Sequence, residues 1–489
     1  MKLKNAAPEI GSGACRNVMG AALMKISQRL TGLSMACAVL ALAFGALTVE
    51  PASAGFLNNI FGGGKNNNNG MAAPDEPDQQ SAPGPFNGGL FGGSRRNPDQ
   101  PYSRAFHGDE LPPEEGTEAT RAWITNPELG VPTLSTNNIQ STKAAIARYE
   151  QIVAQGGWPM LPSVAMKPGS TGQQIELLHR RLEISGDLLG QSIPNEYDAA
   201  VVAAVKKFQA RHGLPPTGVI DNRVTLEALN IPATVRLTQL KANLSRLQAL
   251  APSAANVYVA VNIPSAQVEV VSGGQVVSRH AAVVGKPERP TPELSSKIQE
   301  VNFNPYWYVP KSIIYKDLVP KAQAFARNGQ NMLAAYHMEA FDAAGNPVPW
   351  QAINWSDPAV YNYNFRQLPW AENSLGFIKI NFPNKDAVYM HDTPLKTLFG
   401  RNVRFESSGC VRVNNVEALA AWILTGTGWD LQRIAQVKQS GEQIDVKPTK
   451  PIAVYFTYIS AWATPDGTVN FRPDIYNHDG GGPETASVN

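Results

Sequence analysis

Apolar positions along this chain recur first at helical spacing and then, after Pro252, at every second residue. In "STKAAIARYEQIVAQGGW", Ala145, Ile146, Tyr149, Ile152 and Val153 fall on one face of a 3.6-residue period. This predicts a helical scaffold segment over residues 117–166. A compact unit follows at 167–232, where "TGQQIELLHRRLEISG" aligns Ile175, Leu178 and Leu182, and "YDAAVVAAVKKFQARHGL" aligns Val201, Val202, Val205 and Phe208. "GVIDNRVTLEAL" adds a turn and a third short helix, so three helices with Gly at the junctions make a small bundle. "VRLTQLKANLSRLQAL" predicts a linking helix within 233–254.

Beyond Pro252 the Val-rich stretch "NVYVAVNIPSAQVEVVSGGQVVSRHAAVVG" alternates, with Gly273 and Gly274 placed to turn a hairpin. "KIQEVNFNP", "GFIKINFP" and "AVYMHD" supply further strands. The pattern predicts a mostly antiparallel sheet or barrel over 255–438, with an extension at 445–478. Residues 316–374 are mixed helical, polar and aromatic, and read as an insertion over one face of that sheet. The fold class expected is multidomain α+β.

The N-terminal quarter reads differently. Lys25 and Arg29 precede the apolar run "LSMACAVLALAFGAL" (Leu33 to Leu47), and Ala52 to Ala54 supply small residues for cleavage, so 1–54 is expected to be a signal peptide directing export to the periplasm. The alternative, an uncleaved anchor, needs about 20 apolar residues, more than this run has. No stable membrane span is expected once the segment is removed. Residues 55–116, rich in Gly, Asn, Pro and Ser, cannot bury enough apolar surface to offset chain entropy and are expected to be a disordered tether.

Charge adds only an exclusion, since 42 Lys plus Arg against 40 Asp plus Glu give no argument for a nucleic-acid partner. Cysteine usage says more. Cys15 and Cys37 lie in the segment expected to be removed, which leaves Cys410 alone and excludes an internal disulfide. Without metal-type Cys/His spacing, no metal or other cofactor is expected, and Cys410 is an inert buried residue, an intermolecular link or a nucleophile.

One constellation favours the nucleophile. The strand "AVYM" delivers His391 to a turn ended by Pro394, and Cys410 follows 19 positions later in "FESSGCVRV". A thiol with a pKa of about 8.5 is mostly protonated at neutral pH, and an imidazole within reach can take its proton. Gly409 permits a tight turn, which makes the N–H groups of Gly409 and Cys410 candidate oxyanion donors. Behind them "NNVEALAAWIL" starts a helix capped by Asn414 or Asn415, whose positive end is expected to lower the thiol pKa. Polar, Gly-containing flanks distinguish this thiol from an ordinary core cysteine.

"HDTP" followed by "SSGCVRV" resembles the catalytic signature of the L,D-transpeptidases, in which His precedes Ser/Thr-x-Gly-Cys-x-Arg/Asn. "VNFNPYWYVPKSII", "RQLPWAENSLGFIKINFPN" and the tail "IAVYFTYISAWATPDGTVNFRPDIY" resemble segments of the large periplasmic branch that carries a lid-like insertion. The bundle at 167–232 resembles a peptidoglycan-binding domain, through Phe208, Gln209, Gly213, Leu214, Gly218, Val219 and Thr225.

The resemblance implies Cys410 as nucleophile and His391 as general base, with Ser407, Ser408, Gly409 and Arg412 supporting the loop. Ser408 stands where many members have a second His. Arg412 is suited either to a substrate carboxylate or to bracing the loop. Trp307, Tyr308 and Tyr389 serve either as substrate walls or as sheet packing. A backbone carbonyl is a better candidate than Asp392 for orienting His391. The implied partners are peptidoglycan stem peptides as donor and acceptor, with carbapenems as acylating inhibitors. The implied reaction joins two diaminopimelate residues through a cysteinyl thioester. An L,D-carboxypeptidase on the same site, or a non-catalytic wall-binding tether, are the alternatives.

Overall fold

The computed structural model describes residues 117–480, so the signal peptide and tether expected at 1–54 and 55–116 lie outside the described residues. The chain enters through α1 (Glu118–Thr125) and α2 (Thr136–Ala154), followed by α3 (Gln173–Ser185), α4 (Ala199–Arg211), α5 (Arg223–Asn230) and α6 (Ala233–Leu250). Local chemistry sets the ends of the bundle helices. Asp198 and Asn222 accept the N–H groups of Val201 and Thr225 at the starts of α4 and α5, and Gly186 closes α3 in the left-handed conformation. Ile175, Leu178, Leu182, Val201, Val205 and Phe208 meet in the bundle core with no exposed surface.

Polar as well as apolar contacts tie the bundle, the linking helix and the C-terminal hairpin together. Arg211, at the end of α4, donates from Nε and Nη2 to Asp187 just beyond α3, at 2.6 and 2.5 Å, and Ser185 also donates to that carboxylate. Both partners of this ion pair are buried. α2 packs along α6, and both hold the terminal hairpin through Tyr149, Leu240, Ala461 and Phe471.

The strand region begins with β1 (Val257–Asn262), β2 (Gln267–Ser272), β3 (Gln275–Gly285), β4 (Leu294–Ile298) and β5 (Glu300–Phe303). Only Gln299 separates β4 from β5, yet β4 pairs with β15 (Ile452–Thr457) and β5 with β10 (Ile378–Asn381). One bent run therefore joins two distant parts of the sheet, which curls around a core containing Val261, Val268, Val284, Ile380, Met390 and Phe456. The strand path of this sheet is completed by β11 (Met390–His391), β13 (Val411–Val413) and β14 (Ile444–Val446), with β12 (Phe405–Ser407) paired to β3 off that path. Among the described residues pairing is mostly antiparallel, with three parallel pairs: β1 with β15, β11 with β13, and β12 with β3. α8 (Val416–Ile423) and α9 (Leu431–Ser440) contribute Leu419, Ile423, Ile434 and Val437 to the same core. The tail is part of this architecture, since β15 runs between β1 and β4. The hairpin of β16 (Ala461–Ala463) and β17 (Val469–Phe471) reaches back to the helices.

The insertion contains strands that its mixed composition did not announce. β7 (Met338–Phe341), β8 (Pro347–Val348) and β9 (Asn364–Gln367), joined by β6 (Trp307–Tyr308) from the segment just before 316–374, form a separate antiparallel sheet, flanked by α7 (Val319–Arg327). It closes on its own core of Trp307, Ile314, Leu318, Tyr336 and Phe365, among others. These strands are only two to four residues long, too short for alternation to register.

Removing one partner of the buried Arg211–Asp187 pair strands a charge, which costs roughly 3–5 kcal/mol. Asp187→Ala is expected to lower the first thermal unfolding midpoint by on the order of 10 °C, read by calorimetry.

Candidate active site

A row of side chains crosses the sheet at the level of the candidate residues. Asp445 on β14 stands opposite Asn302 on β5, Asn302 opposite Lys379 on β10, Lys379 opposite His391 on β11, and His391 opposite Arg412 on β13. Positions two residues apart along an extended run share a face, so Tyr389, just before β11, lies beside His391, and Cys410, just before β13, lies beside Arg412. Val411 donates its N–H to the Tyr389 carbonyl at 3.1 Å, which fixes Cys410 level with Tyr389.

The loop holding Cys410 is a tight turn built by its own side chains. Ser407 accepts the Gly409 N–H at 3.2 Å and donates to the Cys410 carbonyl at 2.5 Å. Gly409 takes φ +112°, a conformation L side chains rarely adopt, and a Cβ there would lie 3.4 Å from the Pro290 carbonyl. Thr291 accepts from the Gly285 N–H and donates to the Gly409 carbonyl, both at 2.8 Å, bracing the turn from the segment after β3. Because Ser407 takes the Gly409 N–H, the Cys410 N–H is the remaining member of the expected oxyanion pair.

Ser408 faces outward from this turn and accepts from Arg289 at 2.9 Å. The same guanidinium forms an ion pair with Asp317, which belongs to the insertion. Through Arg289, Ser408 is thus a strut between the thiol loop and the insertion.

Electrostatically the imidazole and the thiol are both shifted toward their neutral forms. Burial pulls His391 down to about 3, with Arg412 and Lys379 acting in the same direction. His391 Nδ1 donates to the Asp392 backbone carbonyl at 2.5 Å, so Nε2 carries the basic lone pair. The Asp392 carboxylate is engaged elsewhere, accepting the Phe377 N–H at 3.0 Å and pairing with Lys396.

Burial raises the Cys410 thiol, opposed by hydrogen bonds from the Tyr389 backbone and hydroxyl and by the charges of Lys379 and Arg412. The expected lowering by the helix behind the loop is not found. β13 intervenes, putting the start of α8 roughly 10 Å along the chain from Cys410, and Asn415 sits at the cap in a left-handed conformation without a side-chain capping bond. Desolvation therefore outweighs the helix end.

Tyr389 is a partner of the thiol. Its hydroxyl bonds the thiol and Trp307, and burial holds it protonated, well above its ordinary value. Trp307, just before the insertion, packs into the insertion's core, whereas Tyr308 is 67% exposed. Arg412 is buried, and burial lowers its pKa, opposed by Glu406 and Cys410; the placement is suited to bracing.

Sequence reasoning missed Lys379, Arg289 and Thr291. Lys379 lies 4.5 Å from the Tyr389 ring centroid. Its signal was present: in "GFIKINFP" Ile378 and Ile380 point to the core and Lys379 to the opposite face, a charged residue amid a buried strand.

Residues 256–438 match the model of an "L,D-transpeptidase catalytic domain", and residues 171–229 that of a "Putative peptidoglycan binding domain". A Haemophilus influenzae protein described as "Putative L,D-transpeptidase" is 35% identical over 220 residues, 45% of this chain and 44% of the relative, so the match spans less than half the relative's length. Among solved structures, an L,D-transpeptidase from Stackebrandtia nassauensis is 13% identical, covering 60% of this chain and 94% of that one, with a TM-score of 0.22. Mycobacterium tuberculosis L,D-transpeptidase 3, solved with a faropenem-derived adduct, is 12% identical, covering 41% and 60%, with a TM-score of 0.21.

Unfolded His binds a proton below about 6.5, whereas folded His391 stays neutral down to about 3. Acidification across that window therefore favours the unfolded chain, and the stabilising difference is fully present above 6.5. His391→Gln is expected to flatten the fall of the unfolding midpoint between pH 6.5 and about 4; an unchanged slope would remove His391 from that balance. Gly409→Ala is expected to cost about 1–3 kcal/mol by forcing Cβ into the left-handed turn, measurable as a lower denaturant midpoint. A match to an L,D-transpeptidase catalytic domain over residues 256–438 thus lies downstream of a match to a peptidoglycan-binding domain over 171–229, and the motif residues of the former gather on one sheet face.

Proposed function

We propose that this protein is a periplasmic, wall-associated L,D-transpeptidase that crosslinks diaminopimelate residues of peptidoglycan. The observation that carries the reading is the parallel pairing of β11 with β13, which puts the only cysteine among the described residues on the sheet face that holds His391 and Lys379. In this scheme Cys410 Sγ attacks the carbonyl carbon of the amide between the third residue, diaminopimelate, and the fourth, D-Ala. His391 Nε2 takes the thiol proton and passes it to the departing D-Ala amine. The C–N bond breaks, a C–S bond forms, and a thioester remains.

The side-chain amine of a second diaminopimelate then attacks the thioester, its proton goes to His391, and the thiol leaves as the new amide forms. The thioester conserves the energy of the broken amide, so the chemistry calls for no nucleotide. A resting thiol and neutral imidazole suit this cycle, because charge forms only when substrate is present. The Cys410 N–H is assigned to the oxyanion, Ser407 and Gly409 to the shape of the turn, and Arg412 to its support. The bundle at 167–232 is assigned to holding the wall.

Lys379 is assigned to stabilising the thiolate, since its charge opposes the upward shift caused by burial. Lys379→Met is expected to move the pH midpoint of iodoacetamide alkylation at Cys410 upward and to slow carbapenem acylation about tenfold. An unchanged midpoint would relieve Lys379 of this role. Incubated with disaccharide tetrapeptide, the purified protein is expected to form the crosslinked dimer, and Cys410→Ser none. Dimer from Cys410→Ser would overturn the nucleophile, and tripeptide without dimer would make the protein an L,D-carboxypeptidase.

A further inference from the structure

A cavity of about 470 Å³ lies where the helical bundle, the β16–β17 hairpin and the strand region meet, and none of His391, Cys410, Arg412, Tyr389 or Lys379 lines it. Its lining is unusual in charge. Lys207, Arg211, Arg236, Arg279, Arg404 and Arg472 all contribute, against a single acidic residue among the described ones, Glu128 at the exposed rim. Arg211 and Arg279 have carboxylate partners behind the wall, in Asp187 and Glu269. His212, also in the lining, is held neutral, its pKa lowered well below the ordinary value by burial.

Among the described residues the other three guanidinium groups find only neutral acceptors. Arg236 donates to Gln239 Oε1 at 2.9 Å and to the Ala228 carbonyl at 3.4 Å, and its Nε–H is buried without a partner. Arg404 is spread over the carbonyls of Ala282, Arg401, Ser265 and Ala266. Arg472 donates to the carbonyls of Arg211 and Phe471 at 3.0 and 2.7 Å. Burial pulls these groups down to about 9, 10 and 9 respectively, so all three remain cationic at neutral pH.

Buried unpaired charges are costly unless something compensates them. The chain nevertheless makes room for them. A Cβ on Gly213 would lie 2.7 Å from Arg472 Nε, so glycine at this helix end admits the guanidinium. Phe471 carries Arg236 on its face, 4.5 Å from the ring centroid, and Trp462 carries Arg472 at 5.1 Å. The cations are held by stacking and by main-chain carbonyls, which fix their positions without neutralising them.

We propose that this cavity is an anion-binding site, separate from the thiol site, which takes a carboxylate or phosphate group through the guanidinium groups of Arg236, Arg404 and Arg472. Planar guanidinium forks match oxyanion geometry, and the volume falls within the range for small-molecule sites, larger than a bare ion needs. Two sources fit that chemistry, a peptide carboxylate of a wall fragment and free phosphate.

Calorimetric titration of the protein in a Cys410→Ala background separates this site from turnover at the thiol. Inorganic phosphate and disaccharide tetrapeptide are added in turn at constant ionic strength. Saturable binding is expected, weakened at least tenfold by Arg472→Gln and about threefold by Lys207→Gln, whose exposed side chain makes a single hydrogen bond, to the Gly186 carbonyl at 3.1 Å. Tighter binding of the fragment identifies the peptide source, and binding of phosphate alone identifies the free anion. The proposal is overturned if neither ligand saturates, or if binding is unchanged in Arg472→Gln of native circular dichroism. Should that variant not fold, unchanged binding in Lys207→Gln overturns it.

Discussion

The parallel pairing of β11 with β13 is the constraint on which the candidate site depends. Because His391 stands opposite Arg412, the residues two positions earlier, Tyr389 and Cys410, come level on the same face. A slip of one residue would send every one of these side chains to the apolar side of the sheet. Parallel neighbours cannot be joined by a tight hairpin, so the 18 residues between His391 and Cys410 have to travel around. They do so through a short 3₁₀ turn at Lys396–Gly400 and the strand β12, which pairs with β3 and hands the chain to the Ser407 turn. The interval in the motif is therefore the length of a crossover.

Burial governs the electrostatics of what this pairing assembles. Thiol and imidazole are both shifted toward their neutral forms, and the groups that oppose burial at the thiol are the Tyr389 hydrogen bonds and the cations of Lys379 and Arg412. Two separate requirements thus meet in one row: apolar packing that excludes water, and fixed positive charge that makes a thiolate reachable. Tyr389 belongs to both, since its hydroxyl touches the thiol and Trp307 of the insertion core. The Arg289 bridge from Ser408 to Asp317 makes a second link from the thiol loop to the same insertion.

The near balance of acidic and basic residues over the whole chain conceals strong local asymmetry. Arginine is concentrated at the junction of bundle, hairpin and sheet, where segments distant in sequence converge: Arg211 and Arg236 from helices, Arg404 from the thiol crossover, and Arg472 from the tail. Net charge is blind to such a grouping, because it contains no information about neighbours.

What the sequence determined by itself is everything encoded in short-range periodicity and local stereochemistry. The bundle helices, their buried faces, the Val-rich strands and the need for Gly409 were legible because each rests on spacing within a few residues or on one residue's backbone freedom. His391 and Cys410 were legible as a motif. The tertiary structure alone decided which partners those residues have. Lys379, Arg289 and Thr291 reach the site by strand pairing and by the turn after β3, and no local pattern connects them to Cys410. The insertion's strands escaped notice because two to four residues carry too few periods. The thiol's shift ran opposite to the local expectation for the same reason: a helix start is visible in sequence, whereas desolvation depends on what the rest of the chain packs around the sulfur.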